Sequence, residues 1–287
     1  MRDSVCEKDS EGREIDAAAI KNILAAAKEE GYERVKFSSE WGEPLIRRDI
    51  EELVFHAKKL SYMDISLSTN GTLLKGRAES LRKAGLHRLC VSLDTLKPRL
   101  FKKITGQDVF ADTMAGIDEA VAAFGPAIKV NMVVVNGVNN PEIKGMLRWT
   151  TRKGIVLQMI EVVGKEQKKA GMFFDLDPTV SSLSRKSLLV AKDKVEKITT
   201  IIGADFKVQM RQSRKWPELF YRNERMVIHP DGEIGFWLRQ HTKLYAITKG
   251  RADRNSISSQ IQKAMSLKMS PSETRYLRQY GNRKCVS

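Results

Sequence analysis

The sequence predicts an α/β fold built on a parallel sheet, and three observations predict it. From residue 16 to about 163, apolar residues recur alternately at helical and at strand spacing, with short turns between. The strand segments are separated by helix-length connections, so five of them lie parallel, and right-handed crossovers curl such a sheet into a full or partial (β/α) barrel. After Gly164 the rhythm stops, which sets an irregular C-terminal α+β segment apart. The expected division is therefore 1–164 and 165–287.

Taken in order, Asp16 is placed to cap a first helix whose Ile20, Ile23, Leu24 and Ala27 share one face and which stops at Gly31. A strand over 35–39 follows. The second helix buries Ile50, Leu53, Val54, Ala57 and Leu60, and its strand, 64–69, is closed by Asn70-Gly71. A helix near 74–84 leads into a strand over 88–94. Helices near 98–104 and 109–124 lead to a strand over 128–135, and the helix after Pro141 leads to a strand over 155–163. Beyond Gly164, residues 165–190 read as polar and irregular, 191–202 as a helix and 206–210 as a strand. Segments 225–228 and 234–238 flank His229-Pro230-Asp231-Gly232 and form a β-hairpin. The basic tail beyond Lys249 is expected to be helical in part.

A chain of 287 residues can bury a sizeable core. Fifty Lys and Arg against 35 Asp and Glu leave a formal charge of +15, which welcomes a polyanion such as a nucleotide, an RNA or an acidic surface. Cys6, Cys90 and Cys285 are odd in number and far apart, so neither a disulfide framework nor a Cys-x2-Cys knuckle is readable, and a reducing cytoplasm fits. No window has the apolar length of a signal core or a membrane span, which points to a soluble cytoplasmic protein. His56, His87, His229 and His241 are not spaced as a metal set, and Cys90, between Leu89 and Val91, reads as a packing residue.

In a parallel barrel the ligand site lies at the carboxyl ends of the strands. The residues there are Gly42, Glu43 and Pro44; Ser68, Thr69 and Asn70; Ser92 and Asp94; Asn131 and Asn136; and Glu161. Each alone reads as a turn or cap. Together they form a ring of small polar groups, in which Glu43 reads as a general base or as half of a buried salt bridge.

The ordered series Lys36-x-Ser38 to Gly42-Glu43-Pro44-Leu45, Ser68-Thr69-Asn70-Gly71, Ala84-Gly85-Leu86, Val91-Ser92-Leu93-Asp94, Ile104-Thr105-Gly106, Lys129-Val130-Asn131 and Gly137-Val138-Asn139 resembles the radical S-adenosylmethionine family. Within it, the resemblance is to the GTP 3',8-cyclases of molybdenum cofactor biosynthesis, over about 16–163 and weakly again over 220–240. It implies a partial (β/α) barrel of the radical type, here without its first strand, and a C-terminal region like that of the family. It also implies S-adenosylmethionine contacts at Gly42, Glu43, Ser92 and Val163, and contacts to a GTP-like nucleotide at Lys36, Ser68, Lys129 and Arg225. The two lysines suit phosphate.

The resemblance also implies two 4Fe-4S clusters, and here the sequence departs from it. The turn from Ser38 to Pro44 is two residues longer than the family's Thr-Gly-Gly-Glu-Pro, with Trp41 where the first glycine is expected. Of the Cys-x3-Cys-x2-Cys loop, Cys6 is the only remnant; Phe220, Asn223 and Trp237 stand at the positions of the second cluster's cysteines, and Val227 replaces an arginine. The clusters are therefore expected to be absent from this chain. Three readings stay open: a GTP-cyclising enzyme, a non-catalytic barrel that binds a nucleotide or anion, and a nucleic-acid-binding protein. The last is prompted by Arg211, Arg214, Lys215 and Trp216.

Overall fold

The computed structural model of the chain describes residues 15–38, 42–162, 165–193, 198–203, 206–211, 225–228, 233–236, 245–246, 257–259 and 284–286. In chain order the first elements are α1 (Ala17–Glu29), β1 (Tyr32–Phe37), α2 (Ile50–Lys59), β2 (Asp64–Thr69), α3 (Ala78–Ala84), β3 (Arg88–Ser92), α4 (Pro98–Thr105), α5 (Phe110–Phe124), β4 (Ile128–Val134), α6 (Ile143–Arg152) and β5 (Val156–Glu161). There follow α7 (Lys165–Lys169), α8 (Asp177–Ser184), β6 (Leu189–Asp193), β7 (Ile198–Ile202), β8 (Lys207–Arg211), β9 (Arg225–Ile228), β10 (Glu233–Phe236), β11 (Tyr245–Ala246) and β12 (Lys284–Val286). The class is the α/β one expected, with mostly parallel strands up to β5.

Two units divide the chain, one of Met1, Thr69–Glu79 and Arg88–Glu218, the other of Arg2–Ser68, Ser80–His87 and Leu219–Ser287. In the second of these, Asp16 caps α1, its carboxylate accepting from Ala19 N at 2.7 Å. Ile23, Leu24 and Ala27 bury the inner face of α1, while Ile50, Leu53, Val54 and Ala57 bury that of α2. Strands β2, β1, β12 and β9 run parallel, and β10 and β11 add on antiparallel. The pairing of Ile228 with Ile234 is the hairpin expected there.

On α2, burial lowers the His56 imidazole below its ordinary pKa; the Lys21 and Lys59 charges add to this, while a hydrogen bond to the Lys21 backbone and the Glu52 charge oppose it. The folded state thus holds the proton less tightly than the unfolded chain. The stability His56 contributes is full above the unfolded pKa, about 6.5, and is lost as pH falls through the lowered folded value. Urea melts at pH 7.5 and 5.5 should show a larger loss in the wild type than in His56→Gln; equal losses in the two proteins would refute this.

In the first unit, β3, β4, β5 and β8 run parallel, and β7 and β6 continue the sheet antiparallel. The helix expected over 191–202 is corrected to two strands, paired from Leu189 opposite Ile202 to Asp193 opposite Ile198. The cause is visible in Ile198-Thr199-Thr200-Ile201-Ile202: five successive β-branched residues crowd a helical turn and suit a pleated surface. Likewise 165–190 is not wholly irregular, since it holds α7 and α8. The helix expected from residue 74 begins only at Ala78, because Gly71 (φ +85°) and Gly76 (φ +77°) turn the chain first. Among the described residues no helix is long and apolar enough to cross a membrane.

Candidate functional site

Several of the polar strand-end residues in the first unit hold the strands rather than face a ligand. Asn139 is fully buried; its Oδ1 accepts from Val135 N at 2.7 Å, and its Nδ2 donates to Asp94 O at 2.8 Å and Val133 O at 2.9 Å. Asp94 Oδ1 in turn accepts from Val133 N at 2.8 Å. Asn136 Nδ2 donates to Gly171 O at 3.2 Å, and buried Glu161 accepts from Leu176 N at 3.1 Å. Thr69 Oγ1 accepts from Gly71 N, and Asn70 Oδ1 accepts from the backbone N–H and the hydroxyl of Thr72. Glu142 bonds the Thr95 hydroxyl and Leu96 N, with the Lys97 ammonium 3.7 Å away. For Asp94, Asn136 and Glu161 in the ring, these bonds supply the capping role that such residue types ordinarily play.

The middle of the same sheet is different. Paired residues share a face and alternate residues change face. One row across the sheet, Val91, Val130, Leu157, Val208 and Ile201, is apolar and fully buried. The next row, on the opposite face, is Ser92, Asn131, Gln158, Gln209 and Thr200. Every member of it is polar and none is charged. Gln209 Nε2 donates to Thr200 Oγ1 at 3.3 Å, but Gln209 Oε1 and Asn131 Oδ1 are buried without a hydrogen-bond partner among the described residues. A buried acceptor left in that state costs about 1–3 kcal/mol. Lys129, two residues before Asn131, and Arg211, two residues after Gln209, place positive charge on the same face above and below the row.

Of the residues expected at the site, Ser92 and Lys129 thus come together on neighbouring strands, Ser92 opposite Asn131 and Lys129 opposite Cys90. In the other unit, Lys36 pairs with Ser66, and Ser68, buried, lies two residues further along β2 on the same face. Gly42 is exposed at φ +155°, a backbone region that favours glycine, with open space where a Cβ would sit. Glu43 caps the single turn Pro44–Ile46, its carboxylate accepting from Leu45 N at 3.1 Å. Arg225 lies on β9 opposite Cys285, and Val227 opposite Gly235. Cys6, Trp41, Val163, Arg214, Lys215, Trp216, Phe220, Asn223 and Trp237 lie outside the described residues. Gln158, Gln209 and Thr200 were not singled out from the sequence. The signal for Gln209 was there in Lys207-Val208-Gln209-Met210-Arg211, a strict polar-apolar alternation.

Comparison with known proteins supplies the family. The profile of the Radical SAM superfamily matches residues 2–150. The "Probable GTP 3',8-cyclase" of Methanothermobacter marburgensis is 42% identical over 162 residues, 56% of this chain and 52% of that protein. The protein of the same name from Pyrococcus abyssi is 39% identical over 155 residues, 54% of this chain and 49% of that one. The chain thus spans about half the length of these relatives. With the "Probable GTP 3',8-cyclase" of Methanosarcina acetivorans the identity is 30% over 276 residues, 95% of this chain and 80% of that protein. Among solved structures, "Native anSMEcpe with bound AdoMet and Cp18Cys peptide" is 17% identical with a TM-score of 0.47, over 60% of this chain and 51% of that one. On the profile and the Methanosarcina relative, the chain belongs to the radical S-adenosylmethionine superfamily, as a GTP 3',8-cyclase-like member.

Proposed function

We propose that this chain is a cytoplasmic nucleotide-binding protein of the GTP 3',8-cyclase type, in the chemistry of molybdenum cofactor biosynthesis, and that residues 1–287 do not carry out radical cleavage by themselves. The observation that carries the reading is the uncharged amide row flanked by Lys129 and Arg211, a face suited to a neutral base with an anionic tail. In this reading Lys36, Ser68, Lys129 and Arg225 serve the GTP-like nucleotide, while Gly42, Glu43, Ser92 and Val163 serve S-adenosylmethionine. Residues 1–164 form the radical-type part, and the region from 165 onward adds Gln209 and Arg211 to its sheet.

Membership of the superfamily implies an iron-sulfur cluster, whose chemistry is to deliver the low-potential electron that cleaves S-adenosylmethionine. The donors in this sequence do not fit one. It holds three cysteines, Cys6, Cys90 and Cys285, with no two in one loop, and Cys90 has Lys129 as its paired neighbour on β4.

The test is calorimetry of the 287-residue chain with GTP and with S-adenosylmethionine, together with iron and sulfide analysis after anaerobic reconstitution. Saturable GTP binding with no retained iron and no 5'-deoxyadenosine is expected. Retained iron with 5'-deoxyadenosine release would restore the enzyme reading. RNA binding that collapses with added salt, without GTP binding, would favour a nucleic-acid partner instead.

A further inference from the structure

We infer that the outer edge of β6 receives an extended segment of a partner protein, apolar at alternate positions and acidic at both ends, which adds a strand to the sheet of the first unit. This docking surface does not depend on what the amide row binds.

In the strand order β3, β4, β5, β8, β7, β6, the last strand pairs with β7 on one side and with no described strand on the other. Such an edge presents backbone N–H and C=O groups in a row, which an extended chain satisfies and a lipid or a nucleic acid does not. Proteins commonly blunt an edge of this kind with a bulge or a proline. β6 has neither. Its register with β7 runs unbroken from Leu189 opposite Ile202 to Asp193 opposite Ile198, and Leu188-Leu189-Val190-Ala191-Lys192-Asp193 holds no proline.

The side chains describe the occupant. Val190 stands opposite Ile201, so the apolar row that runs from Val91 through Val130, Leu157 and Val208 to Ile201 reaches the edge at Val190. There it is left open: Leu188 is 77% exposed, Leu189 54% and Val190 38%, three successive apolar side chains on an edge. Leu188 and Val190 share a face, so a strand laid beside them covers both with apolar side chains two residues apart. Charge sets the ends. Exposed Arg185 and Lys186 precede the apolar run and exposed Lys192 follows it, while Asp193 is the one acidic residue in 183–193. Acidic residues that flank the incoming strand meet these cations. A second copy of this chain is a poorer occupant, because it brings the same cations and a formal charge of +15 to the same edge.

The test is fluorescence anisotropy of the full chain with a labelled peptide, Glu-Glu-Val-Thr-Val-Thr-Val-Glu-Glu, together with hydrogen exchange and with light scattering of the chain alone. Saturable binding that slows exchange of the 188–193 amides is expected. A peptide with proline for the central valine should bind at least roughly tenfold more weakly, because it cannot complete the ladder. The double variant Leu188→Thr with Val190→Thr keeps strand propensity and charge, and it should also bind roughly tenfold more weakly. Lys186→Glu with Lys192→Glu should reverse the preference, so that a peptide with lysine ends binds better than one with glutamate ends. These positions are exposed, so the variants should melt with the wild type. No binding, equal binding of the proline peptide, binding that leaves exchange at 188–193 unchanged, or a preference for glutamate ends kept by the charge-reversed variant would each overturn the proposal. So would a dimer of the chain alone that dissociates in the threonine variant, which would make a second copy the occupant.

Discussion

Gly116→Ala should lower the thermal midpoint by about 6–12 °C, the consequence of about 3 kcal/mol of overpacking in a domain of this size. Gly116 lies buried in the middle of α5, where a Cβ would sit 2.3 Å from the carbonyl oxygen of Gly71 and 2.9 Å from Leu74 Cβ. Backbone oxygen has no rotamer to escape into. The helix or the turn must move, and the turn is itself fixed: Gly71 holds φ +85°, and a Cβ there would meet Val91 Cγ1 at 2.8 Å. The two glycines are thus a matched pair that lets a helix touch a strand-end turn. Gly145→Ala in α6 is the control, because nothing lies within 4 Å of its Cβ position. There the gain in helix propensity should stabilise by about 0.5–1 kcal/mol. Equal melting points for Gly116→Ala and wild type would show that the contact relaxes at little cost.

Local signals made the first half of the fold legible. Asp16 before an apolar period, the buried stripe of α2 and the alternation of Lys129-Val130-Asn131-Met132 each depend on neighbours a few residues apart. The helix misread over 191–202 failed on composition: Ala191, Lys192, Lys194 and Glu196 favour a helix, and the β-branched run that follows outweighs them once β8 supplies a pairing edge. The candidate site divides in the same way. Strand-end polar residues are found by their position, but their spacing does not reveal whether a carboxamide points at a ligand or at its neighbour's backbone. Asp94 and Asn136 turned out to bond the chain itself. The amide row needed register, and register needed β8 beside β5, with two helices and a hairpin between them in sequence. Nothing local in Val156-Leu157-Gln158-Met159 announces that its glutamine faces another one.

Asn139→Ala should cost about 3 kcal/mol, because one side chain satisfies three backbone groups that the substitution leaves buried and unpaired. Its Oδ1 takes the Val135 N–H, and its Nδ2 serves the carbonyls of Asp94 and Val133, so it ties the end of β3 to the end of β4. Asn139→Asp separates this account from a simple loss of volume. The carboxylate keeps the acceptor for Val135 N but turns an oxygen toward two carbonyl oxygens, a repulsion in place of two bonds. At pH 7 the aspartate variant should therefore be at least as unstable as the alanine one, and its deficit relative to wild type should shrink at pH 5, where protonation restores a donor. The alanine deficit should not change over that interval. The effect should also reach the ligand. The clamp acts two residues beyond Asn131 and Ser92, so a loosened β3–β4 end blurs the spacing of the row that we propose meets the nucleotide. GTP affinity should fall in both variants under conditions where they remain folded. Unchanged affinity in a folded Asn139→Ala protein would separate the clamp from the site, and an aspartate deficit that grows toward pH 5 would refute the proposed hydrogen-bond pattern.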